Sequence, residues 1–131
     1  MVMGDVPVES SLVVVGGGPG GYAAAFHAAD LGLDVTLVSE EERLGGVCLL
    51  RGCIPSKTLL SLGGLIHSAR WAQDKGISFH DPELDLEGIR GWKEEVVERL
   101  TGGLDNLADD RSVRLVYGRA RFAGPNRLHV H

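Results

Sequence analysis

"SLVVVGGGPGGYAAAFHAADLGLDVTLVS", residues 11–39, decides the architecture. Ser11–Val15 is a short unbroken apolar run, the kind that lies fully buried inside a parallel sheet. Gly16–Gly21 makes a turn, and alanine-rich Tyr22–Leu31 reads as a helix stopped by Gly32. Asp34–Ser39 is a second strand. Strand, glycine turn, helix and strand in so short a stretch form a βαβ unit, which predicts parallel pairing through a right-handed crossover.

The turn "GGGPGG" fits G-x-G-x-x-G through Gly16, Gly18 and Gly21. In that pattern the first glycine permits a tight exit from the strand. The second lets main chain approach a diphosphate, and the third lets the helix pack closely on the sheet. The helix start adds amide donors and a positive dipole end. Alone the motif is weak, and a glycine turn without a ligand is the bland alternative; its place between strand and helix favours the dinucleotide reading. Such a site also wants an acid at the end of the second strand for a ribose. Glu40 is nearest, although Glu41 and Glu42 follow it and all three could be solvated loop acids.

Downstream lies "GGVCLLRGCIPSK", residues 45–57, with both cysteines of the chain. Two thiols without a neighbouring histidine are too few for a zinc site, and the histidines at 27, 67, 80, 129 and 131 show no ligand spacing, so no metal is expected. Inert buried thiols are the other bland reading. The favoured one is a redox dithiol. In a regular helix residues i and i+5 have Cα atoms about 8.7 Å apart, whereas a disulfide tolerates no more than roughly 7 Å. Bridging Cys48 to Cys53 therefore requires broken coiling, which Gly52 and Pro55 allow. A bond held in such a turn is more easily reduced than a structural one. A cysteine near a helix start, with Lys57 one turn on, also has its thiolate favoured.

Further along, Lys57–Ala72 reads as a helix with Leu59, Leu60, Leu62, Leu65, Ile66 and Ala69 on a broad apolar face. A second amphipathic helix runs from about Leu86 to Leu107, with Ile89, Trp92, Val96, Leu100, Leu104 and Leu107 as its inward positions. Val113–Tyr117 is a strand, and Arg119–Phe122, "GPN" and Leu128–Val130 predict a hairpin. The fold class expected is α/β: a Rossmann-like domain with a parallel sheet, helices and a small antiparallel β element. The chain stops at His131 within the last strand, which reads as part of a longer protein, incomplete at its C-terminus.

Composition agrees with one modest domain. The chain has 131 residues, 44% of them apolar and 24% charged. A net charge of −5 disfavours a phosphate-tracking nucleic-acid binder. The longest apolar run is too short to cross a bilayer, so no membrane partner is expected. Met1–Ser11 lacks the features of a secretory or transit leader, which makes the cytoplasm the default.

A Rossmann-type turn followed at once by C-x₄-C-x-P-S-K resembles the flavin-dependent pyridine nucleotide–disulfide oxidoreductases. The match covers essentially all of this chain but only the first part of the family's length. The Pro-Gly-Gly-Tyr turn and "CIPSK" followed by leucines lean towards the members that oxidise dihydrolipoyl groups; mercuric and glutathione-type reductases are the nearest competitors, and a non-enzymatic nucleotide-binding module is the remaining alternative. The resemblance implies non-covalent FAD, with Gly16, Gly18 and Gly21 along its diphosphate and Gly45 and Gly46 approaching from the other side. It implies Cys53 against the flavin, Cys48 as the thiol that exchanges with substrate, and Lys57 beside the flavin ring. Electrons then pass from dihydrolipoyl groups of 2-oxoacid dehydrogenase complexes through FAD to NAD in a homodimer. The family's nicotinamide and dimerisation domains, the latter with its acid–base histidine, lie outside residues 1–131, so these residues alone are not expected to turn over.

Three positions depart from the family's pattern. An ungapped match puts Ser39 where the ribose acid belongs and Glu40 one place late, and one residue along a strand turns a side chain to the other face. Val47 stands where many members carry threonine. Leu50-Arg51 replaces the common Asn-Val between the cysteines.

Overall fold

The structure, a computed structural model, describes residues 7–131. Residues 1–6, part of the segment read for a leader, lie outside that description. The elements run β1 (Leu12–Val15), α1 (Pro19–Asp30), β2 (Val35–Ser39), α2 (Gly46–Leu50) and α3 (Cys53–Gln73). They continue with α4 (Leu86–Asp110), β3 (Arg114–Tyr117), β4 (Ala120–Gly124) and β5 (Arg127–Val130). Two compact units contain them, one of residues 7–46 with 103–131 and the other of residues 47–102.

In the first unit β1, β2 and β3 form one parallel sheet in that order, with Val14 opposite Leu37 and Ser39 opposite Tyr117. The expected parallel βαβ unit is therefore present. β2, the central strand, is buried along its whole length. β1 is not: Val13 is 40% and Val15 53% exposed. The fully buried strand read at 11–15 is corrected to an edge strand, whose one face packs towards α1 while the other does not. Ala25, Phe26 and Ala28 of α1 join Val35, Leu37, Val38, Leu44, Leu104 and Ala108 in the core.

α1 begins three residues before the expected Tyr22. Gly18 is its N-cap and Pro19, whose fixed φ suits a first helical position, starts it. It ends where Gly32 at φ +86° donates to the Ala29 carbonyl at 2.8 Å. At the far side of this unit Arg111 joins Asp30 (Nε to Oδ1, 3.0 Å) and lies over the Phe26 ring at 5.6 Å, tying the end of α4 to α1. β4 and β5 form the expected antiparallel hairpin, with Phe122 opposite Leu128 and a bulge between Phe122 and Gly124.

In the second unit α3 starts at Cys53, four residues before the expected Lys57. Its half-buried stripe is Thr58, Leu62, Ile66 and Ala69, whereas Leu59, Leu60 and Leu65 are exposed. The broad apolar face is thus narrower than the sequence reading. α4 runs from the second unit into the first: of its expected inward positions Leu104 is buried and Ile89 and Val96 are half-buried, whereas Trp92, Leu100 and Leu107 are exposed and Val97, Thr101 and Ala108 are buried instead. Thr101 takes an inward place because its hydroxyl donates to the Val97 carbonyl at 3.1 Å, which satisfies it without water.

Candidate functional site

The glycine turn is assembled from main chain. Gly16, at φ +112°, donates its amide to the Val38 carbonyl at 2.7 Å and so leaves β1 sharply. Gly21 sits against that exit: a Cβ there would overlap the Gly16 carbonyl oxygen. Gly18 caps α1 with no side-chain hydrogen bond, so the first-turn amides are left to a ligand or solvent. A Cβ on Gly16 or Gly20 would meet nothing within 4 Å, leaving the main chain open to close approach. Gly45 and Gly46 close on this turn. The Gly45 amide donates to the Gly17 carbonyl at 2.8 Å, and a Cβ on Gly46 would come within 2.6 Å of the Gly18 Cα. Both use positive φ, +131° and +58°.

Gly17 is the residue that the motif reading missed, because it falls on a variable position. A Cβ there would lie 2.6 Å from Ser39 Oγ and 3.1 Å from Leu44 Cδ2. Its signal was the run of three glycines where the motif needs two. Ser39 is 2% exposed, at the end of β2, and its side chain turns to Gly17. Glu40 is exposed and faces Arg119, Oε1 to Nε 4.0 Å. The structure thus brings Gly16, Gly18, Gly21, Ser39, Gly45 and Gly46 together around one turn, with Glu40 at its rim. An amide-rich helix start with open main chain and no capping side chain fits a diphosphate.

The thiol pair is built by a break in coiling. α2 ends at Leu50, residues 51–52 turn, and α3 begins at Cys53 with Gly52 (φ −122°, ψ −104°) as its N-cap. The expected interruption is present at Gly52, where a Cβ would lie 3.0 Å from the Val47 carbonyl oxygen. Both cysteines are unbridged thiols, Cys48 half-buried and Cys53 exposed. A side-chain hydrogen bond with Cys53 that favours the protonated form pushes the Cys48 thiol up, helped by desolvation and by the Cys53 charge. The Cys53 amide and the Lys57 cation pull the other way and lose. At Cys48 the neighbouring sulfur thus outweighs the Lys57 cation. Val47 is 64% exposed, and Arg51 is exposed between the two cysteines.

Among the described residues no group of three or more His, Cys, Asp or Glu is placed to hold a metal, and no helix is long and apolar enough to cross a membrane.

Residues 10–130 match the family described as pyridine nucleotide-disulphide oxidoreductase. Curated relatives carry the name dihydrolipoyl dehydrogenase. The Halobacterium salinarum protein is 47% identical over 130 residues, 99% of this chain and 27% of its own length. That of Vibrio parahaemolyticus is 49% identical over 123 residues, 94% of this chain and 26% of its own length. The Bacillus subtilis protein is 45% identical over 130 residues, again 99% and 27%. The chain spans about a quarter of the length of these relatives.

Proposed function

Because the chain belongs to the pyridine nucleotide-disulphide oxidoreductase family, we propose that its residues 1–131 are the N-terminal, FAD-binding and dithiol-bearing part of a dihydrolipoyl dehydrogenase. The observation that carries this reading is the pair Cys48 and Cys53 set on either side of the helix break at Gly52, in a chain that also builds a backbone cradle suited to a dinucleotide diphosphate. The names of the relatives favour the lipoyl substrate over mercuric ion or glutathione disulfide.

In this reading the oxidised pair accepts two electrons from a dihydrolipoyl group. One substrate thiolate attacks Cys48, the Cys48–Cys53 bond breaks, and Cys53 leaves as a thiolate. The second substrate thiol then displaces Cys48, releasing the cyclic disulfide and leaving two reduced cysteines. FAD, when bound, supplies the relay that carries those two electrons on to NAD. Lys57, whose charge already pulls on the Cys48 thiol, is a cation able to offset a thiolate at the pair. Gly16, Gly18 and Gly21 hold the diphosphate, and Ser39 or Glu40 meets the ribose. The partners are the 2-oxoacid dehydrogenase complexes, and the full-length enzyme works as a cytoplasmic homodimer.

The test is full-length protein assayed for dihydrolipoamide-dependent NAD reduction, beside glutathione disulfide and Hg²⁺ reduction. Cys48→Ser should lower lipoamide turnover by about three orders of magnitude or more while bound flavin is retained. Unchanged turnover in that variant would remove Cys48 from the reaction, and a wild type that binds flavin without any of the three activities would leave a nucleotide-binding module with incidental thiols. Residues 1–131 purified alone should not turn over even when supplied with FAD.

A further inference from the structure

The β4–β5 hairpin sorts its side chains by charge. Residues 118–131 hold three arginines, two histidines and no acid, in a chain whose net charge is −5. Side chains alternate along a strand, so the register fixes which of them share a face. Arg121 lies opposite His129, and Arg119 exchanges both main-chain bonds with His131, at 2.9 and 3.2 Å. Arg127 stands two places before His129 on β5. All five therefore project from one side, in keeping with the stacked rings of His129 and His131, whose centroids are 6.3 Å apart. Ala120, Phe122, Leu128 and Val130 take the other side.

The five basic residues are exposed. Among the described residues Arg121 and Arg127 have no ion-pair partner. Arg119 meets the Glu40 carboxylate at 4.0 Å, a pair too long and too exposed to neutralise it. From the strand rise and spacing, the cations fill a patch about 14 Å long and two strands wide.

We propose that this basic face docks an acidic protein segment, an extended stretch with carboxylates at alternate positions. Such a stretch repeats its side chains about every 6.8 Å, the same spacing as Arg119 to Arg121 and Arg127 to His129. Guanidinium groups grip carboxylates through paired N–H donors. Charges in physiological salt are screened over about 8 Å, so a ligand here meets the patch and not the net charge of the chain. Other polyanions fit less well. A single-stranded nucleic acid wants aromatic rings among the cations, and Phe122 is on the opposite side. A lipid surface that took up Phe122 would leave the arginines pointing away from it. The inference does not depend on the flavin reading.

The test is fluorescence anisotropy of full-length protein with a labelled peptide that alternates glutamate and threonine, beside its glutamine–threonine counterpart. Unlabelled peptide, oligothymidylate and phosphatidylserine vesicles serve as competitors. Wild type should bind the glutamate peptide, ignore the glutamine one and release the first as sodium chloride is raised. Arg121→Gln and Arg127→Gln should each weaken binding about threefold, and together about tenfold. Arg90→Gln/Arg99→Gln removes the same charge from exposed positions of α4 and should change affinity less than about twofold. Equal losses in the two double variants overturn a localised face, as does a wild type that binds no glutamate peptide. Oligothymidylate or vesicles that compete better than unlabelled peptide, charge for charge, overturn the acidic protein partner.

Discussion

A methyl group at Gly21 would overlap the Gly16 carbonyl oxygen, whereas one at Gly20 would meet nothing within 4 Å. Gly21→Ala is therefore expected to cost about 1–3 kcal/mol of stability, since backbone must move to relieve it. Gly20→Ala should stay within about 0.5 kcal/mol of wild type. Chemical denaturation of the two variants side by side checks both. At the thiols, Cys53→Ala removes the side-chain partner and the charge that hold the proton on Cys48, and leaves the pull of Lys57. The pH profile of Cys48 alkylation should then shift to lower pH, and Lys57→Met should shift it higher. Both site motifs were legible because they are patterns of residue type. The balance at Cys48 was not, because it turns on which group the sulfur actually touches.

Elements read well where a local signal closed them. Gly32 ended α1, "GPN" placed the β4–β5 turn, and the apolar runs found all three strands of the parallel sheet. They read poorly where tertiary packing decided. The late start expected for α3 ignored Gly52 as an N-cap, and part of the α4 face was misplaced, Thr101 being inward because it can bury its hydroxyl on its own helix. α4 does carry a start signal that periodicity overlooked. Asp85 Oδ1 accepts from the amides of Glu87 and Gly88, both at 3.1 Å. Asp85→Ala should cost about 0.5–2 kcal/mol, and Asp85→Asn or Asp85→Ser much less, as measured by urea unfolding.

For the whole molecule the informative group is Asp105, near the end of α4. Burial, then the carboxylate of Asp109, hold its pKa above the usual range, and its Oδ1 is buried without a partner. Burial and the same two carboxylates also push the Tyr117 phenol up. A carboxyl whose pKa is raised on folding binds its proton more tightly in the native state. Its contribution is present in full below the unfolded pKa and is lost as pH rises through the folded value. Asp105→Asn should thus raise Tm at pH 7, with the gain fading towards pH 3, in thermal melts across that range. The sequence alone could not show this, because nothing in "GGLDNLADD" (residues 102–110) marks one acid as inward. Family membership, by contrast, was readable from a quarter of the relatives' length, since both motifs fall within it.

The cradle formed by Gly16–Gly21, Gly45 and Gly46 offers a ligand main chain almost exclusively. Substitutions other than to proline keep those amide donors, so on the proposed reading the turn itself offers side-chain engineering little to adjust. Attempts to retune cofactor choice or tightness by protein engineering should leave the turn alone and vary its rim at Ser39 and Glu40, where side chains still have a say.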